Sequence, residues 1–144
     1  MPIIWDEDTQ IARMLATRAR IDSGGGPGVF EICSANYATV LASVLLGYPG
    51  NSTGIVDLTT LTIGGVPRVV TTLTLAGFPR VDAAIDATGT AALARIRNSA
   101  GVVIGRGMTV GLAGSNSDVF VNRTDLVAGR TFTILSAVFG HPFG

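Results

Sequence analysis

Few residues of this chain have the type and spacing that chemistry requires. The one histidine, His141, stands in a Gly-His-Pro tail beside Phe143. With no second imidazole to complete a metal pair, it reads as an exposed or interface side chain. Asp82 and Asp86 are spaced so that one helical turn, or one face of a strand, would bring two carboxylates together as general acid and base. Only Val81, Ala83, Ala84, Ile85, Ala87 and Thr88 surround them. No aromatic ring is at hand for a sugar to stack on, so a loop or turn accounts for the pair better. Ser34, Ser43, Ser52, Ser99 and Ser117 all lack the Gly-x-Ser-x-Gly setting of a nucleophile elbow. Cys33 has no base nearby in sequence to activate it and reads as a small buried apolar residue.

Two glycine clusters imitate phosphate loops. Ser23-Gly24-Gly25-Gly26-Pro27-Gly28 lacks the Gly-Lys-Ser/Thr ending and runs into the β-like Val29-Phe30-Glu31-Ile32-Cys33 instead of a helix. Gly105-Arg106-Gly107, followed by Gly111, lies inside a β region, where a bulge or a close backbone approach explains the glycines. Asn51-Ser52-Thr53 and Asn122-Arg123-Thr124 match the glycosylation sequon by chance. No catalytic residue, metal or cofactor is expected.

Composition narrows the function classes further. The 144 residues fit one domain with a real core. Ten basic residues balance ten acidic ones, so no long-range field recruits nucleic acid or an anionic membrane surface. Every basic residue is an arginine, a planar fork suited to packed contacts, although codon bias in a GC-rich genome gives the same result. Only 14% of residues are charged against 47% hydrophobic, and mean hydropathy is +0.49, so apolar surface is expected to be left over for neighbouring subunits to bury. The longest apolar stretch, Val40 to Leu46, is far short of the roughly 20 residues that cross a bilayer. The acidic start, Asp6-Glu7-Asp8, is unlike a secretory signal, and the product is expected to be made and kept in the cytoplasm of its producer.

The elements that would position any site follow from periodicity. Asp6-Glu7-Asp8-Thr9 leads into Ile11, Met14, Leu15 and Arg18 at three-and-four spacing, with acids in front and arginines behind: a short amphipathic helix within an arm, residues 1–22. Its narrow stripe suits docking on its own domain or on a neighbour. Residues 23–28 form a glycine-rich hinge, and residues 29–144 a β domain. Turn signals recur at Gly47-Tyr48-Pro49-Gly50-Asn51, Gly64-Gly65, Ala76-Gly77-Phe78-Pro79, Asn98 to Gly101, Gly114 to Ser117 and Ala128-Gly129. Such spacing predicts an all-β, antiparallel, jelly-roll-like β-sandwich with a short N-terminal α-helix. Thr88 to Arg97 and Val102 to Val110 read as a hairpin. Phe132, Ile134, Ser136 and Val138 alternate against Thr131, Thr133, Leu135 and Ala137 on a two-faced strand. Ala38 to Leu46 fits helix or buried strand equally. Thr59, Thr60, Thr62, Thr71, Thr72 and Thr74 would cover a solvent face.

From Ala87 onward the chain reads Ala-Thr-Gly-Thr-Ala, then alternating apolar residues and Arg95 and Arg97, then Asn98-Ser99-Ala100-Gly101, Val102-Val103 and Val110-Gly111. It continues with Asp118-Val119-Phe120-Val121-Asn122, Ala128-Gly129-Arg130-Thr131-Phe132-Thr133, and Ser136 to Phe139. This pattern resembles a family of small tailed-bacteriophage virion proteins of the capsid cement or decoration kind. The likeness is strong after Thr88 and loose before Val29. Where the family has tyrosine-glycine after its first strand, this chain has Cys33-Ser34-Ala35, and residues 47–80 have no counterpart.

The resemblance implies a structural component at the capsid surface of a virion, bound to the major capsid protein and to sister copies. A homotrimer would suit three-fold positions on a shell. Trp5, Ile11, Met14, Leu15, Arg18, Phe139 and Phe143 are the candidate partner contacts. A neck, tail or fibre component is the structural alternative. A carbohydrate-binding β-module is the binding alternative, with one Trp, two Tyr and six Phe as a thin supply of aromatic platform.

Overall fold

The computed structural model describes residues 6–140, apart from the side chains of Leu61 and Ile63. Helix α1 spans Glu7–Ile21 and begins where the acids stand: Asp6 is the N-cap, its Oδ1 accepting the Thr9 N–H at 2.8 Å. Hydrogen bonding from Thr9, through its side chain first and its backbone N–H second, holds the Asp6 carboxyl below its ordinary value. Glu7 and Asp8 occupy the first turn and Arg18 and Arg20 the last, each sign at the helix end that favours it.

The remainder is β: β1 Val29–Cys33, β2 Val40–Leu45, β3 Gly54–Ile63, β4 Val66–Leu75, β5 Arg80–Asp82, β6 Gly89–Thr90, β7 Leu93–Arg97, β8 Val103–Leu112, β9 Val119–Val121, β10 Asp125–Leu126 and β11 Phe132–Gly140. Nine strands make one sheet in the order β2-β1-β7-β8-β9-β11-β4-β3, with β5 also paired to β11, and β6 pairs β10 separately. The fold is thus all-β and sandwich-like with one short N-terminal helix. Val40–Leu45, ambiguous between helix and strand, is a strand. The sheet folds round a single core, in which Phe30, Ile32 and Leu41 share one cluster with Val119, Val121, Phe132 and Ile134. Beside β2 lies β5, where Asp82 Oδ2 accepts the Ser43 N–H at 3.0 Å.

The expected antiparallel arrangement fails at one pair. β8 and β9 run parallel, Val110 beside Val119 and Leu112 beside Val121. Parallel neighbours ordinarily need a long crossover, yet only residues 113–118 intervene. The loop doubles back tightly, and Asp118 Oδ2 takes the Thr109 N–H at 3.1 Å while the Asp118 N–H returns to Thr109 Oγ1. Gly111 makes room for it: a Cβ there would stand 2.4 Å from Ser117 Oγ. The close approach inferred from that glycine is therefore present.

The hairpin expected from Thr88 to Arg97 and Val102 to Val110 also differs from expectation at its start. Gly89–Thr90 leaves to pair with Asp125–Leu126, so the first arm begins at Leu93. Its partner strand is bulged twice, leaving Ile104 and Gly107 unpaired between matched residues. Gly107 has φ 88°, the left-handed geometry that a bulge of this kind requires of a glycine.

In β11 the expected alternation holds only to Ile134. A register shift between Ile134 and Ser136 changes the phase, so Ala137 is buried and Val138 is exposed. One extra residue exchanges the two faces of a strand, which period-two counting cannot anticipate. Thr71 likewise departs from the solvent face: it is fully buried, with its hydroxyl 3.4 Å from Gln10 Oε1 on α1.

Candidate functional site

The candidate contact residues separate into three groups. Met14 is buried, and Phe139 packs against the core; together with Leu73, Ile96 and Met108 they line a cavity of about 260 Å³ between α1 and the sheet. Arg18 turns inward along the same chain, its Nη1 donating to Asn51 Oδ1 at 2.8 Å and to the Gly54 carbonyl at 3.2 Å. Ile11 is half-buried, and Leu15 alone of the helix set faces out. Trp5 and Phe143, like His141, lie outside the described residues. The structure thus brings Met14 and Phe139 together as packing, leaves Leu15 as a surface residue, and uses Arg18 to fasten the helix to the 51–54 segment.

The glycine-rich segment after α1 is tethered on both sides. Asp22 accepts the Gly50 N–H at 2.9 Å through Oδ2 and the Thr53 hydroxyl through Oδ1. Asn98 Nδ2 donates to Ser23 Oγ at 3.0 Å. The last helical residue, Ile21, is 1% exposed and belongs to the core. In this chain the helix is seated on its own sheet.

Large apolar side chains left exposed outside the core are spread over β2, β3, β4, β5, β8 and β11, where no sequence motif marked them. Leu45 on β2 is 60% exposed and Val81 on β5 is 58% exposed. Both line one open groove, about 520 Å³, with Pro79, Arg80, Asp82 and Ala83. Its walls are fixed by polar anchors. Asp82 holds Ser43 with one carboxylate oxygen and the Ala84 N–H with the other, at 3.1 Å. The Arg80 guanidinium lies 5.5 Å from the Phe78 ring centre and donates to the Ala76 carbonyl. Asp82 is therefore occupied in backbone contacts and Asp86 is exposed; their pairing as acid and base has no geometric support here. On β3 and β11 the exposed Ile55 and Val138 flank Thr74 of β4, which pairs with both.

A third concavity is polar. Glu31 on β1 faces Arg95 on β7 across the ladder, and its Oε1 accepts from Arg95 Nε at 2.7 Å and Arg97 Nε at 2.6 Å. Burial pushes the Glu31 carboxyl up, but the two guanidiniums outweigh that effect and hold it below its ordinary value. The same carboxylate raises Arg95. Arg95 lies 5.7 Å from the Tyr37 ring centre, and the Tyr37 hydroxyl accepts the N–H of the bulged Gly107. Sequence reasoning missed this cluster because Glu31 and Arg95 are 64 positions apart. The available signal was Arg95-x-Arg97 on one strand face with a lone acid in another strand.

Cys33 is fully buried, and burial raises its thiol, as its reading as an apolar residue requires. Among the described residues no cluster of three His, Cys, Asp or Glu side chains could hold a metal ion, and no helix is long and apolar enough to cross a membrane. No protein-family model matches the chain, and no curated protein or solved structure matches it.

Proposed function

We propose that the chain is a virion structural protein, a capsid cement or decoration protein of a tailed bacteriophage that packs against the major capsid protein and against sister copies. The observation that carries this reading is the groove of Leu45 and Val81. Two large apolar side chains remain more than half exposed in one concavity after the core has been filled, on a chain with only 14% charged residues. The groove's own surface is mostly polar, and single exposed apolar residues are ordinary. Here, however, they recur on β2, β3, β4, β5, β8 and β11 of a weakly charged chain, and that much apolar surface favours a covered state. Burying such surface across a subunit boundary raises the free energy needed to separate capsomers, which is how a cement protein resists pressure from packaged DNA. The resemblance of the region after Thr88 supplies the virion setting.

Both substitutions in a Leu45→Asp/Val81→Asp double variant lie on the surface, so the fold should survive while the contact does not. In gradient-purified particles of the encoding phage, the wild-type chain is expected at a copy number commensurate with the capsid, and the double variant at a small fraction of it. A chain absent from the particles, or a double variant incorporated as well as the wild type, refutes the reading.

A further inference from the structure

We propose that the pocket formed by Asn36, Tyr37, Arg95 and Arg106 is an oxyanion-binding site, taking a carboxylate or phosphate group between the two guanidiniums. The inference goes beyond the virion reading and does not depend on it.

Arg95 and Arg106 are direct cross-strand partners on β7 and β8. Like charges placed opposite one another in a ladder repel, so this pairing costs stability unless an anion joins them. Glu31 does not supply enough charge. It accepts both Arg95 and Arg97 through a single oxygen, which sets one negative charge against the three of Arg95, Arg97 and Arg106. Arg95 and Arg97 both reach Glu31 through Nε, and the terminal amino groups of Arg95 have no acceptor among the described residues. Arg106 has no ion pair among them either. The result is two forks of the kind that grip a two-oxygen anion in a bidentate manner.

The pocket is also shaped by features that aim these side chains. Arg106 is flanked by the two bulges, at Ile104 and Gly107, and bulges redirect the side chains beside them. Asn36 and Tyr37 both have φ 57°, the left-handed region, which is costly for tyrosine. The Tyr37 hydroxyl holds that turn against Gly107 while its ring supports Arg95. Residues from three separate segments thereby meet around an open space of about 500 Å³, lined mainly by polar groups. That volume admits a carboxylate or phosphate together with part of the molecule bearing it.

The carboxylate could be an acidic side chain of a sister copy, or the anion could be free in solution. Inorganic phosphate titrated into the full chain at constant ionic strength, followed through the arginine Nε resonances, tests the shared chemistry. Saturable shifts are expected at Arg95 and Arg106, with affinity at least about tenfold weaker in Arg106→Gln and unchanged in Arg130→Gln. Non-saturating drift, equal shifts at Arg123 and Arg130, or wild-type affinity in Arg106→Gln overturns the proposal. Because Arg106 is exposed and unpaired among the described residues, loss of folding does not obscure the result. Sedimentation of the same samples separates the sources: phosphate dissociates an oligomer held by a sister carboxylate and leaves one unchanged where the ligand is a free anion.

Discussion

The two long hairpins of the sheet are built on opposite principles. β3–β4 is regular: Gly54 to Ile63 pairs with Val66 to Leu75 in continuous register across a two-residue Gly64-Gly65 turn. Yet among the described residues β4 meets the rest of the sheet where Thr72–Thr74 pairs Val138–Gly140, and β3 is the outer edge. β7–β8 is irregular, bulged at two points, but paired on both flanks by β1 and β9. The first keeps a regular local register, with α1 held to it at Thr71 and Gly54; the second is bent by bulges between two flanking strands. Exposed apolar side chains, Ile55 and Val66, accumulate on the regular hairpin, while the charge cluster of Glu31, Arg95 and Arg97 belongs to the irregular one.

The sharpest way to break that contrast is to cut the core beneath each hairpin. Ile96 on β7 and Leu73 on β4 are 4% and 1% exposed and line the same cavity under α1. Either alanine substitution should cost about 2–5 kcal/mol, read from the denaturant midpoint. Amide exchange is expected to distinguish them: Ile96→Ala lowers protection in every strand, and Leu73→Ala lowers it first in β3 and β4. Uniform loss of protection in both variants means that the regular hairpin is no separate unit.

A smaller effect is expected from the charge cluster. Glu31→Gln leaves the neighbouring guanidiniums of Arg95 and Arg97 without their shared carboxylate, a loss of about 1–3 kcal/mol. The pH dependence provides the internal check. The folded-state carboxyl of Glu31 lies below its unfolded value, so its contribution is fully present above the ordinary carboxylate range. It is lost as pH falls through the depressed folded-state value. Wild-type stability should decline through that acid window, and the Glu31→Gln variant should decline less; parallel curves would remove the cluster from the account of the irregular hairpin.

The same contrast explains what was legible in the sequence. The capped helix, the Asn98 to Gly101 turn, the Gly64-Gly65 turn, and the bulge and close approach at Gly107 and Gly111 are all local signals, and each is present. The β-sandwich class follows from them. What escaped depends on distant partners: the phase change after Ile134, the parallel β8–β9 pair, the inward turn of Thr71, and the cluster joining Glu31 to Arg95. The Leu45 and Val81 groove was invisible for a related reason. Each residue sits in an unremarkable β context, and only the proximity of β2 and β5 makes them neighbours. Of the helix residues singled out as contacts, Met14 and Arg18 serve the chain's own packing, because periodicity identifies an apolar stripe without identifying what covers it.

The smallest expected effect concerns the turn of the regular hairpin. Gly64 and Gly65 have φ 59° and 79°, the geometry of a two-residue turn that accepts asparagine at its first position. A Cβ at Gly64 would meet nothing within 4 Å. Gly64→Asn therefore removes unfolded-state freedom without a clash and should stabilise by about 0.4–1 kcal/mol. If β3–β4 is governed by local sequence, the gain appears as slower amide exchange at Thr59, Arg68 and Val70, whose N–H groups lie in the β3–β4 ladder, with β7 and β8 unchanged. Slower exchange spread equally over both hairpins would show that the turn is coupled to the whole sheet, and the distinction between a locally built and a neighbour-built hairpin would fall.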